Sequence, residues 1–176
     1  MIILIGGSSH VGKTYISQKL LEKYHYPYIS LDHLKMGFIR TKMTELTVED
    51  DFQMSYFLWP YAAEIIKTAI ENNQNLIVEG CYIPKEWKAS FEAEYLKDIR
   101  CMFIVMSESY IRKKWDDIIG YANVVEKRLD DDTDMESLII CNREFKKDCI
   151  ENGTAFFEID SKYDAEEIIR KIDGLI

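Results

Sequence analysis

Residues 6–14 read GGSSHVGKT, directly after the apolar run Met1–Ile5, and this stretch limits the fold more than any other. From Gly7 to Thr14 the spacing is G-x-x-x-x-G-K-T, the full pattern of a phosphate-binding P-loop. The reason is physical. Glycines let the backbone curl until successive N–H groups point inward and form an anion nest. A helix starting there adds the positive end of its dipole. Lysine then reaches the β- and γ-phosphates, and the threonine hydroxyl can ligate Mg²⁺. The context agrees, because KTYISQKLLEKY after the loop places Ile16, Leu20 and Tyr24 on one helical stripe. Gly7, Ser8, Ser9, His10, Val11, Gly12, Lys13 and Thr14 are therefore the expected nucleotide-binding residues.

A P-loop needs a sheet behind it, and the remaining apolar runs supply one. PYISLD (27–32), LIVEG (76–80), RCMFIVM (100–106) and AFFEID (155–160) read as four further strands. Helical patterns lie between them, and AEEIIRKI closes the chain. Strands alternating with helices predict an α/β domain, with a parallel sheet covered by helices on both faces. With 176 residues, one domain spanning 1–176 is expected. Ser107 can cap the helix ESYIRKKWDDII, Thr133 and Glu136 have capping-box spacing before the next helix, and Gly153 stops it. Two connections are long for plain crossovers. Residues 33–74, where Pro60 breaks or starts a helix, form a candidate substrate-binding insert, and about 107–134 a candidate lid.

Charge and composition exclude other classes. The net charge of −9 is wrong for a broad nucleic-acid footprint. No apolar run approaches the roughly 18 residues that span a bilayer, and the first residues lack the basic region and cleavage pattern of a leader. Cys81, Cys101, Cys141 and Cys149 form no C-x-x-C pair, so reduced thiols and a cytoplasmic protein are expected. His10, His25 and His33 lack metal-site spacing. Nothing in the sequence sets the oligomeric state.

Chemistry on a bound phosphate needs carboxylates and cations. Asp32 and Glu79 fall at the carboxyl ends of expected strands, where open α/β sheets place their sites. Transfer to a hydroxyl wants one carboxylate to orient or deprotonate the nucleophile and another to hold Mg²⁺ or its waters. Asp32 suits the first task and can share the second, and Glu79 stands in the Walker-B-like place. The bland alternative for Asp32 is a helix N-cap. Thr14, Asp32 and Glu79 are the metal candidates. If DHLKMGFIR is helical, Arg40 or Lys35 could touch an anionic acceptor, and a solvated surface role is the plainer reading. Charge on the γ-phosphoryl oxygens calls for arginine. Arg128 and Arg143 are the catalytic candidates from the second insert, and Arg112 a nucleotide-binding one. Phe52, Tyr56, Phe57, Trp59 and Tyr61 could stack on an acceptor ring, though helical spacing assigns most of them to the core.

Together the P-loop, Asp32, the IVEG strand and the two inserts resemble the nucleoside-monophosphate-kinase-like P-loop kinases. That group includes adenylate, shikimate and gluconate kinases, chloramphenicol phosphotransferase and zeta-toxin kinases. The resemblance implies the three-layer P-loop NTPase fold, with five parallel strands in order 2-3-1-4-5, an acceptor insert after strand 2 and a lid after strand 4. It also implies ATP and Mg²⁺, an Asp32 that contacts the acceptor hydroxyl, and a segment IDSKYD (159–164) bordering the adenine. Adenylate kinases carry an arginine-rich lid; here acidic DDDTD (130–134) stands in that neighbourhood, which weighs against a nucleoside monophosphate acceptor.

The leading expectation is an ATP-dependent phosphotransferase acting on a small-molecule hydroxyl. The alternatives are a nucleoside monophosphate kinase, a nucleotide-binding regulator without transfer, and a GTPase switch built on DIIG (117–120) and SKYD (161–164). DIIG lies in a helical pattern and Ser161 replaces the usual asparagine, which sets the switch last.

Overall fold

A computed structural model describes residues 1–121 and 133–176. The order is β1 (Ile2–Gly7), α1 (Lys13–Tyr24), β2 (Tyr28–Ser30), α2 (Leu31–Arg40), α3 (Asp51–Glu71), β3 (Leu76–Glu79), α4 (Ala93–Leu96), β4 (Ile99–Met106), α5 (Glu108–Tyr121), α6 (Met135–Glu151), β5 (Ala155–Ile159) and α7 (Ala165–Asp173). The strands form one parallel sheet in the order β2-β3-β1-β4-β5. Central β1 is apolar throughout because both of its faces are covered. Ile2 and Leu4 face a core shared with α3, and Ile3 and Ile5 face one shared with α1 and α7. Each fully buried isoleucine or leucine contributes about 1.5–3 kcal/mol of transfer free energy.

Register brings the chemistry to one end of the sheet. Ile5 lies beside Glu79, and Ser30 lies beside Glu79 on the other side. The carboxyl ends of β1, β2 and β3 therefore open together onto the P-loop.

Several local expectations are corrected. The second strand covers Tyr28–Ser30 only, and Asp32 sits in the first turn of α2. Ser30 is the residue before that helix, so Asp32 is not its N-cap. Pro60 neither starts nor ends a helix: it lies inside the 21-residue α3. It is exposed there, so water can take up the carbonyl one turn earlier that loses its partner. The α6 cap is Asp134, which accepts from Ser137 N at 3.0 Å, in place of Thr133. Ser107 does cap α5, accepting from Tyr110 N at 3.1 Å. Gly153, at φ +57°, ends α6 as expected, with Thr154 N donating to Cys149 O at 2.9 Å. DIIG lies within α5, a helix and not a switch loop.

The insert aromatics also differ from expectation. Only Trp59 is buried, its Nε1 donating to Ser90 Oγ at 2.8 Å, and Phe57 is half-buried. Phe52, Tyr56 and Tyr61 are exposed.

Candidate active site

The loop after β1 has the backbone its sequence calls for. Gly7 has φ +129°, and a Cβ there would stand 2.1 Å from the Ile104 carbonyl oxygen on β4. Gly12 has φ +85°, and a Cβ there would stand 2.4 Å from the Tyr163 hydroxyl. Only glycine meets both demands. Ser8, Val11 and Lys13 are buried; Ser9, His10, Gly12 and Thr14 are partly exposed. Lys13 turns its Nζ back to donate to the Ser8 carbonyl at 2.7 Å.

Thr14, the second residue of α1, donates from Oγ1 to Glu79 Oε1 at 3.2 Å. Glu79 ends β3 and is fully buried. The P-loop hydroxyl and the strand-end carboxylate, singled out separately in the sequence, are thus in direct contact.

Asp32 is partly exposed, and its carboxylate makes no hydrogen bond or ion pair among the described residues. Its position is reported by Cys81, which follows Gly80 after β3. Burial pushes the Cys81 thiol up to about 12; the negative charge of Asp32 adds to the rise, Lys13 opposes it, and Asp51 adds again. Asp32, Asp51 and the P-loop lysine thus all act electrostatically on Cys81, just beyond the end of β3.

A buried ammonium lies one helical turn from Asp32. Lys35 donates to Asp51 Oδ1 at 2.9 Å, to Tyr82 Oη at 2.6 Å and to the Val48 carbonyl at 3.4 Å. Tyr82 Oη in turn donates to Asp51 Oδ1 at 2.8 Å. Burial, followed by the charges of Cys81, Asp32 and Asp51, pushes the Tyr82 hydroxyl well up, so it stays a donor. The plainer sequence reading of Lys35 as solvated is overturned, since it is 8% exposed. Arg40 is exposed at the last position of α2, as that reading had it.

The arginines of the second insert separate. Arg128 lies outside the described residues. Arg112 donates from Nε to Glu108 at 2.9 Å and pairs through both terminal nitrogens with Glu136, at 2.6 and 3.1 Å. Arg143 donates to the second oxygen of Glu108 at 3.0 Å. Glu108 thus bridges Arg112 on α5 to Arg143 on α6, and hydrogen bonding from Arg112, then Arg143, holds its carboxyl below the usual range.

Residues that sequence reasoning missed, together with two from the IDSKYD stretch it expected beside the adenine, complete the surroundings. Asn142 is buried and accepts from Met106 N at 2.8 Å, fixing α6 against the end of β4. Next to it, the half-buried Cys141 thiol is pushed up by burial and lowered by the neighbouring Ser8 hydroxyl and Lys13, which puts α6 beside the P-loop. Tyr163, in the SKYD stretch, packs on Gly12, with its ring centroid 6.5 Å from that of Tyr15. Asp164 caps α7, accepting from Glu167 N at 3.0 Å, and pairs with Lys162 at 2.7 Å. Cys81 and Tyr82, just past the glycine that follows a strand-end glutamate, were a signal available in the sequence. Asp51 gave none.

Among the described residues no three His, Cys, Asp or Glu side chains converge to hold a metal, and no helix is long and apolar enough to cross a membrane. The four cysteines are free thiols.

No family model and no curated protein sequence matches this chain. Solved structures do. A gluconokinase from Sinorhizobium meliloti 1021 is similar at TM-score 0.55 and 16% identity, over 98% of this chain and 90% of its own. A shikimate kinase from Aquifex aeolicus is similar at TM-score 0.52 and 15% identity, over 98% and 93%. A deoxyadenosine kinase from M. mycoides is similar at TM-score 0.53 and 18% identity, over 99% and 100%. The strand order, the P-loop after β1 and these likenesses together give the chain the fold of the nucleoside-monophosphate-kinase-like P-loop kinases.

Proposed function

We propose that the chain is an ATP-dependent phosphotransferase that moves a γ-phosphate onto the hydroxyl of a small molecule. The contact between Thr14 and Glu79, at the end of a complete P-loop, carries the reading. Phosphate-binding backbone alone would serve a regulator. A hydroxyl and a buried carboxylate set side by side beneath it are the donor set of a hard, oxygen-seeking cation that keeps most of its waters. Kinases of several acceptors share the fold, which supports the reading further.

In this account Gly7 to Thr14 wrap the phosphates, and Lys13 exchanges the Ser8 carbonyl for β- and γ-oxygens. Thr14 and Glu79 would hold Mg²⁺, Glu79 directly or through water. Bound MgATP supplies the activated phosphoryl group and neutralises charge on it. Asp32, whose carboxylate has no protein partner among the described residues, orients the acceptor hydroxyl and takes its proton as the oxygen–phosphorus bond forms. The bond to the bridging oxygen breaks and ADP leaves. Arg143 and Arg112, now held by Glu108, are the cations of the second insert that can be recruited to the transferring group, and Arg128 belongs to the same proposal.

Lys13→Ala tests the reading. Its ATP turnover should fall by at least about 10²-fold, the scale of deleting one electrostatic stabiliser, with the circular-dichroism spectrum unchanged. Turnover within a few-fold of the parent would overturn the assignment.

A further inference from the structure

We infer that the acceptor is an uncharged or amine-bearing hydroxyl compound, and that carboxylate- and phosphate-bearing acceptors are disfavoured. The inference rests on the phosphotransferase reading and narrows it.

An acceptor reaching Asp32 lies against α2, the start of α3 and the loop after β3. Sequence alone offered Lys35 as a cation for an anionic acceptor. The structure gives that ammonium other work. An ammonium has three protons, and those of Lys35 meet Asp51, Tyr82 and the Val48 carbonyl. Its charge is neutralised at 2.9 Å by Asp51, whose side chain is 66% exposed while that of Lys35 is 10% exposed. Solvent, and any acceptor, therefore meets the carboxylate of this pair before the ammonium. Asp32 adds a second carboxylate, one turn away on the same helix. Two carboxylates and one ammonium leave the acceptor end negative.

Several other cations among the described residues are engaged elsewhere: after β3, Lys85 pairs with Asp148 and Glu86, and Lys88 donates to the Gly153 carbonyl. Lys13 serves the phosphate side. Arg112 and Arg143 are paired with Glu108 and Glu136. Arg40 is exposed at the far end of α2, eight residues and about 12 Å along the axis from Asp32. Ionised carboxylates are pure acceptors. They pair with hydroxyl and ammonium donors and repel a second anion. Like charges brought together at an interface are strongly disfavoured.

The test is transfer from ATP to two matched pairs: 2′-deoxyadenosine against its 3′-monophosphate, which keeps the 5′-hydroxyl, and sorbitol against gluconate. The uncharged member should have the higher kcat/KM, by at least about tenfold, in each pair that accepts phosphate. Asp51→Asn keeps an oxygen for Lys35 and Tyr82 but removes the negative charge, so it should narrow the gap. Equal rates within both pairs, or a better anionic member in either, overturn the inference. Transfer to none of the four while Lys13-dependent ATP hydrolysis persists overturns it too and leaves the nucleotide site standing. Loss of that hydrolysis as well removes the phosphotransferase reading and the inference with it.

Discussion

Thr14 Oγ1 donates to Glu79 Oε1 at 3.2 Å, joining two residues 65 positions apart. The contact exists because β1 and β3 are neighbours in register, so the helix after one strand starts beside the last residue of the other. Thr14→Val keeps the shape of the side chain and removes its oxygen. The Mg²⁺ concentration for half-maximal turnover should rise by at least about tenfold, the lower range for losing a group that supports a metal. An unchanged Mg²⁺ titration would remove Thr14 from the site.

Tyr82 accepts from Lys35 and donates to Asp51 through one hydroxyl. Tyr82→Phe leaves the ring in place and deprives a buried ammonium of a partner. Unfolding stability should fall by about 1–3 kcal/mol, read from urea denaturation. A change of less than about 0.3 kcal/mol, within ordinary surface variation, would show that the network is not holding α2 to α3.

The buried thiols make stability fall at alkaline pH. Burial pushes Cys149 from its ordinary value of 9.0 up to about 12, and Cys81 equally far. Both pKa values are raised by folding, so their contribution is complete below pH 9.0 and is lost as pH climbs towards about 12. In that window the unfolded chain has released the protons that the folded chain still holds, and stability falls with pH. Denaturation midpoints measured across the window should decline, and Cys149→Ala should decline less steeply. Parallel slopes for the two proteins would contradict this.

Legibility in the sequence followed locality. The P-loop is contiguous, so Gly7 to Thr14 could be read directly, and alternating apolar runs were enough for the sheet. Glu79 was singled out because a strand end is a local feature, and the structure sets it against Thr14. Asp32 was singled out for a reason that needs correcting: β2 stops at Ser30, and the residue lies in the first turn of α2. The tie of Lys35 to Asp51 and Tyr82 was invisible, since its partners lie 16 and 47 residues away on separate crossovers. Pro60 misled because helix rules assume that a lost hydrogen bond is costly, and on an exposed face water replaces it. The pairing of Arg112 and Arg143 through Glu108 likewise depends on how α5 and α6 pack.

The central claim is that Asp32 handles the acceptor hydroxyl in a phosphoryl transfer. Asp32 is not the cap of α2, so Asp32→Asn should leave the helix intact while removing base and charge. The most direct measurement is γ-phosphate transfer to the preferred acceptor by Asp32→Asn, beside its affinity for ATP. Transfer should fall by about 10²- to 10⁴-fold, the usual worth of general acid–base help, with ATP affinity changed only a few-fold. Full transfer activity in Asp32→Asn would contradict the account and move the catalytic role to another carboxylate, with Glu79 first in line.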